Sequence, residues 1–106
     1  MPKLIGHMGA HPIEVRIDKR MKGNYATYGQ TPTGRKISLS AVLNDDPMDL
    51  VNSFIHESLH AAGDTFGFDD KETVVSMLAT ALTQFWTEIG LVDPQEWARK
   101  LKKDRK

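Results

Sequence analysis

Hydrophobic and polar residues alternate in the first part of the chain, with the period of two that is typical of strands with one buried face. The alternation covers residues 13–18 (IEVRID) and 36–43 (KISLSAVL), and a weaker example covers residues 25–29 (YATYG). Turn-forming segments, KGN and QTPTG, lie between these stretches. The pattern therefore predicts a small antiparallel sheet of two or three strands.

The pattern changes to a helical period near the middle of the chain. Asp46 is a favourable N-cap, Pro47 suits the first helical position, and Asp49 places a carboxylate in the first turn. Gly63 is a residue type that commonly ends helices. We therefore expect a first helix over residues 47–62.

Two further helices are predicted downstream. The second, at about residues 70–89, carries an apolar stripe formed by Val75, Leu78, Leu82, Phe85, Trp86 and Ile89. A short C-terminal helix begins at Asp93 and Pro94, and we expect its Trp97 and Leu101 to pack on the rest of the protein. The predicted fold class is therefore α+β, with the sheet packed on two long helices and one short helix.

Length and charge limit the classes of function. The 106 residues suit a single domain, 1–106, around one core. The 14 Lys and Arg residues balance the 14 Asp and Glu residues, so the net charge does not favour a nucleic-acid or membrane binder. The basic tail RKLKKDRK lacks interleaved aromatic residues and is interpreted as a solvated segment.

Cysteine is absent from the chain, which excludes disulfides and thiolate metal sites. Any metal must be bound by His, Asp, Glu or water, and this composition fits a reducing compartment. The N-terminus has no apolar run of signal-peptide length, and no segment has the length of a membrane span. We therefore expect a soluble, cytoplasmic protein.

The stretch FIHESLHAAG, residues 54–63, carries the candidate chemistry. His56 and His60 are four residues apart, so a helix presents both imidazoles on one face, which also carries polar residues. Isolated histidine pairs are often core residues or part of a solvated face, but this polar face argues against a core pair. Glu57 lies beside that face, where a carboxylate can act as general base on a metal-activated water.

Catalytic zinc needs a third protein ligand. Glu72 is the first candidate, because it lies in the first turn of the second predicted helix and can face back towards the histidines. A carboxylate at a helix start also has a purely structural explanation, since it interacts favourably with the helix dipole. Asp64, Asp69 and Asp70 compete for the same role.

Other polar residues are candidates to orient the histidine rings. Asp64 follows His60 closely and is suited to accept a hydrogen bond from it. Asn52 or Asp49 is suited to do the same for His56.

These residues resemble a known group of enzymes. FIHESLHAAG resembles the HExxH zinc helix of zincin metallopeptidases, and Glu72 in DDKETVVSMLATAL resembles the third ligand of the gluzincin branch. The small size and the short gap between the motif and Glu72 resemble the minigluzincins and small HExxH proteins of phage and prophage genomes. The resemblance extends over about residues 36–89.

The resemblance implies a zinc-dependent peptidase acting on a peptide or protein substrate. His56, His60 and Glu72 would bind zinc, and Glu57 would take a proton from a metal-activated water and pass it to the leaving amine. It also implies that a strand beside the cleft, expected to be KISLS, pairs with an extended substrate. We expect the protein to be a monomer or a small homo-oligomer.

The chain departs from this pattern in two respects. Larger gluzincins place the third ligand further from the motif and stabilise the oxyanion with a His or Tyr, for which no matching motif is present. The residues of these types near the motif are Tyr25, Tyr28, His7 and His11. Minigluzincins can have their cleft blocked by a terminal segment, a role open here to residues 1–12 or to the tail after Pro94.

A non-catalytic function is the main alternative. A domain of this size has little wall for a specificity pocket, so the same metal site would also suit a zinc-binding regulatory or scaffold module of phage origin. Binding of nucleic acid through RKLKKDRK is a third hypothesis, which the balanced charge does not favour.

Overall fold

The computed structural model of the protein describes residues 4–21, 26–31 and 34–102. Its strands are β1 (Leu4–Met8), β2 (His11–Asp18), β3 (Ala26–Thr31) and β4 (Gly34–Ser40). A 3-10 segment, Ala41–Asp45, leads to the helices α1 (Pro47–Phe66), α2 (Glu72–Glu88) and α3 (Pro94–Lys102). The predicted α+β class is confirmed.

The strands form one mixed sheet in the order β1-β2-β4-β3. β1 pairs with β2 and β3 pairs with β4 in antiparallel fashion, whereas β2 and β4 are parallel, with Val15 opposite Ile37. The prediction of an antiparallel sheet of two or three strands was therefore wrong. Period-two patterning reports which face of a strand is buried, but not which strands become neighbours.

One face of the sheet packs against the helices. Ile13, Val15, Ile37 and Leu39 point from the two central strands into a core closed by Leu50, Ala61, Ala98 and Leu101. A second cluster joins α1 to α2 and contains Val51, Ile55, Ala79 and Val92. α1 thus lies between the sheet and α2, and both of its sides are fixed by packing.

The start of α1 agrees with the prediction. The Asp46 side chain accepts hydrogen bonds from the backbone N–H groups of Met48 and Asp49, and Pro47 occupies the first turn. These contacts satisfy N–H groups that have no partner within the helix.

The predicted end of α1 was wrong. The helix continues through Gly63 to Phe66 and ends at Gly67, whose φ of 82° is left-handed. Gly63 is buried within the helix. The local sequence allows the helix to end at either glycine, and the packing of the surrounding residues decides that it ends at Gly67.

α2 follows its predicted limits closely, but its apolar stripe points inwards only in part. Val75 is buried, together with Ala79 and Thr83, and Leu82 and Trp86 are half-buried. Leu78, Phe85 and Ile89 are exposed. The predicted stripe is therefore only partly covered, because α1 packs against one side of α2.

α3 packs as predicted. Asp93 accepts hydrogen bonds from the N–H groups of Gln95 and Glu96, and Leu101 is buried. The Trp97 ring meets Phe54 of α1 edge-to-face at 5.8 Å. Within the described part of the chain, no helix combines the length and the hydropathy that crossing a bilayer requires.

Candidate metal centre

His56 and His60 lie one turn apart on α1, and their ring centroids are 5.0 Å apart. Their side chains are 20% and 22% exposed. The carboxylate of Glu72, the first residue of α2, lies against both rings. Its Oε1 is 2.5 Å from Nε2 of His56 and 3.2 Å from Nε2 of His60. The structure therefore brings together the three residues that the sequence nominates as metal ligands.

The spacing of these atoms suits a small divalent ion. Ligand atoms about 2.0–2.1 Å from a tetrahedral zinc ion are about 3.3 Å from one another. The second Glu72 oxygen, Oε2, lies 3.2 Å from Nε2 of His56 and 3.4 Å from Nε2 of His60. One ligand atom from each residue can be chosen so that all lie within 4.8 Å of one another. Two imidazole nitrogens and one carboxylate oxygen thus have the chemistry of a zinc site, and the two Oε2 distances match its ligand spacing.

Glu57 lies at the side of this cluster. One of its carboxylate oxygens is 3.8 Å from Nε2 of His56, and the side chain is 14% exposed. Burial raises the pKa of Glu57 above its ordinary 4.5, although the charges of His56 and His60 and a hydrogen bond from the Tyr28 backbone N–H oppose this. A partly buried carboxylate with a raised pKa is a suitable proton acceptor.

Asp70 orients one of the two histidine rings. Its Oδ2 lies 2.8 Å from Nδ1 of His60, and this bond lowers the pKa of Asp70. Burial lowers the pKa of His60, but the hydrogen bonds to Asp70 and Glu72 raise it overall. If Nδ1–H donates to Asp70, the lone pair of Nε2 points towards Glu72, as a metal ligand requires.

Gly63 makes this contact possible. A Cβ atom added at Gly63 would lie 2.7 Å from Cβ and 3.0 Å from Cγ of Asp70. The segment after α1 can therefore return to His60 only because position 63 has no side chain. The sequence signal was present in the motif but was interpreted as a helix end.

Asp64, predicted to support His60, has a different role, and that prediction was wrong. Its carboxylate accepts hydrogen bonds from the hydroxyl of Tyr28 at 2.7 Å and from Nε2 of Gln30 at 2.5 Å. Arg35 lies 3.7 Å away. The bonds from Tyr28 and Gln30 lower the pKa of Asp64. Asp64 therefore ties β3 to the C-terminal half of α1.

The other sequence candidates are placed as follows. The hydrogen bond of Asn52 runs to Oγ1 of Thr80 on α2, so it joins the two helices. Asp49 is exposed in the first turn of α1, two turns before His56, and its predicted role there stays a prediction. Asp69 is exposed beside Lys71.

A cleft of about 490 Å³ lies over these residues. Residues 26–28 of β3 form one wall, Asn52 and Ser53 lie next to the motif residues of α1, and Glu72 forms the opposite wall. The strand beside the cleft is therefore β3. The prediction that KISLS has this position was wrong, because β4 pairs with a strand on each side.

Among the described candidates for oxyanion stabilisation and for blocking the cleft, Tyr28 alone lines it. The hydroxyl of Tyr28 is hydrogen-bonded to Asp64, and Tyr25 lies outside the described residues. His7 and His11 belong to β1 and β2 and do not line the cleft. Of the terminal segments, the described parts, residues 4–12 and 94–102, do not line it either.

Comparison with known proteins adds no relative. The chain matches no protein-family model, and no curated protein or solved structure is significantly similar to it. The motif, its spacing and the geometry of the cluster are therefore the basis for assigning a function.

Proposed function

We propose that the protein is a zinc-dependent metallopeptidase of gluzincin type, which hydrolyses peptide bonds in a peptide or protein substrate. One observation carries the proposal: His56, His60 and Glu72 converge in an open cleft with Glu57 beside them. Three protein ligands leave one position for water or substrate, as catalytic zinc sites require. A structural zinc site is normally closed by a fourth protein ligand.

Each residue has a distinct task in the proposed reaction. When bound, zinc supplies Lewis-acid chemistry that activates water and polarises a carbonyl group. Glu57 takes the proton of the attacking water and later delivers it to the leaving amine. The hydrogen bond from the Tyr28 backbone N–H orients the Glu57 carboxylate, and Asp70 holds His60 in position.

The location of β3 supports a polypeptide substrate. β3 is at the edge of the sheet and borders the cleft. An extended peptide can pair with an edge strand through its backbone, so that its scissile bond passes over α1. The backbone hydrogen bond from Tyr28 to Glu57 supports a role of β3 in positioning the base as well as the substrate.

Metal content and a Glu57→Gln variant test the proposal. We expect about one zinc per chain in the untagged wild type by elemental analysis. Glu57→Gln should retain the metal and lose hydrolysis of fluorescent casein by about 100-fold or more, because only the base is removed. Asp69→Asn, which changes an exposed carboxylate outside the cleft, is the matched control and should retain both.

The outcomes separate catalysis from metal binding alone. Zinc bound without hydrolysis of casein or of a peptide library, in wild type and variant alike, would favour the regulatory or scaffold module. Failure of the wild type to bind zinc would refute both.

A further inference from the structure

Helix α2 presents an apolar surface to solvent on the side away from α1. This surface, the α2 stripe, consists of Val74, Leu78, Ala81, Phe85 and Ile89, with Met77 at its margin. Val74, Met77, Leu78, Phe85 and Ile89 are between 41% and 67% exposed. Single exposed apolar residues are common, but a continuous row along one helix marks an interaction surface.

Between its terminal residues, Glu72 and Glu88, helix α2 carries no charged side chain. Residues 73–87 contain no Asp, Glu, Lys or Arg, although 26% of the chain is charged. A solvated helix face normally carries charged residues, whereas the centre of a protein interface is depleted of them. The composition therefore indicates that this face is covered by protein.

The stripe has a two-fold symmetric arrangement of side chains. Leu78 lies three residues before the small Ala81, and Phe85 lies four residues after it. Further out, Val74 lies seven residues before Ala81 and Ile89 eight residues after it. If two copies of α2 pack antiparallel about an axis beside Ala81, Leu78 of each copy meets Phe85 of the other. Val74 then meets Ile89. A closed dimer requires such a self-complementary surface.

We infer that the protein forms a two-fold symmetric dimer in which the α2 stripes of two copies pack against each other. Ala81 at the centre permits the close approach of two helices, about 8 Å between axes. Burying the stripe would remove on the order of 500 Å² of surface per copy, near the lower limit for specific dimers. We therefore expect a reversible dimer whose population rises with protein concentration.

Dimerisation leaves the candidate metal centre accessible. Nine residues, two and a half helical turns, separate Glu72 from Ala81, so the two residues lie on opposite sides of α2. The cleft faces Glu72 and β3. The dimer is independent of the proposed function, and its test needs neither metal nor substrate.

Sedimentation velocity of the full chain over a range of concentrations tests the inference. Wild type should change from the mass of one chain to that of two as the concentration rises. Leu78→Glu combined with Phe85→Glu should weaken dimerisation by about 30-fold or more, because charges would be buried without partners. Val42→Glu is the matched control, since it changes an exposed apolar residue on the 3-10 segment, and it should still dimerise.

Cross-linking tests the register and does not depend on how the double variant folds. Because the chain has no cysteine, Ala81→Cys introduces a single thiol beside the proposed axis, where oxidation should yield disulfide-linked dimers. Ser76→Cys, exposed on the opposite side of α2, should form the same dimer but yield no disulfide-linked species under the same oxidation. A wild type that stays monomeric at high concentration, or cross-linking of Ser76→Cys but not Ala81→Cys, would overturn the inference. If the wild type associates with another protein but not with a second copy of this chain, the inference is also overturned.

Discussion

Asp70 and Gly63 show that the candidate metal centre depends on residues outside the ligand set. Asp70 contacts His60 on the ring nitrogen that faces away from Glu72. Gly63 leaves the space that Asp70 occupies. A hydrogen bond of this kind fixes the tautomer and direction of a ligand, and its loss typically weakens metal affinity by about 10–100-fold.

Gly63→Ala is expected to weaken zinc binding by about 10-fold or more, because the new methyl group displaces Asp70 from His60. The measurement is a competition titration with a zinc indicator. Stability alone is a poor readout, since the higher helix propensity of alanine, about 1 kcal/mol, opposes the packing cost.

Gly67→Ala provides the matched control. No atom lies within 4 Å of a Cβ added at Gly67, but its φ of 82° is unfavourable for alanine. This variant should lose about 1 kcal/mol of stability and retain its zinc affinity. Equal zinc affinity of Gly63→Ala and wild type would contradict the role assigned to Gly63.

At the scale of elements, the position of β3 depends on side chains as well as on its pairing with β4. Tyr28 and Gln30 of β3 donate hydrogen bonds to Asp64 of α1, and the Tyr28 backbone N–H donates to Glu57. These contacts hold one wall of the cleft at a fixed distance from the HExxH residues. Because the bonds favour the ionised form of Asp64, they couple this arrangement to pH.

We expect the attachment of β3 to α1 to weaken in acid. The pKa of Asp64 is lowered in the folded protein by bonds from Tyr28 and Gln30, relative to its ordinary 3.8. Its contribution to stability is therefore complete above pH 3.8 and is lost as the pH falls through the folded pKa. Urea unfolding of metal-free protein at a series of pH values measures this. The free energy of unfolding should fall less steeply in acid for Asp64→Asn than for wild type.

Tyr28→Phe serves as the internal comparison, because it removes one of the two bonds and keeps the ring. The decrease in its free energy of unfolding in acid should be intermediate between those of wild type and Asp64→Asn. Identical pH profiles for all three proteins would show that the Asp64 contacts do not hold β3.

At the scale of the whole molecule, the candidate metal ligands join two helices. His56 and His60 belong to α1, whereas Glu72 begins α2 after a loop. A metal bound by both helices stabilises the folded state, since the unfolded chain does not hold the ligands together. The second hydrophobic cluster, which contains Val51 and Ala79, joins the same helices without metal.

Zinc is therefore expected to raise the thermal midpoint of unfolding. At a free concentration 100 times the dissociation constant the gain is about 2.7 kcal/mol, or roughly 10 °C or more for a chain of this size. Differential scanning calorimetry with zinc and with a chelator measures this shift in the thermal midpoint. Glu57→Gln should keep the shift and Glu72→Ala should lose most of it, whereas a shift unaffected by Glu72→Ala would contradict bridging of the helices.

Sequence patterns predicted the features that depend on neighbouring residues. The period of two located most of β2, β3 and β4, although it missed β1 and extended β4 into the 3-10 segment. Asp46 with Pro47 located the start of α1. The spacing of four between His56 and His60 predicted one shared helical face, because helix geometry is local. The approach of Glu72 was also predicted, since the loop between α1 and α2 is too short to take it far away.

Only the tertiary structure decided which distant residues meet. The parallel pairing of β2 with β4, the edge position of β3 and the choice of Asp70 over Asp64 beside His60 depend on how separate elements pack. The outward direction of Leu78 and Phe85 has the same origin. Apolar periodicity reports that a face avoids water, and the arrangement of the neighbouring elements determines whether this chain or another molecule covers it.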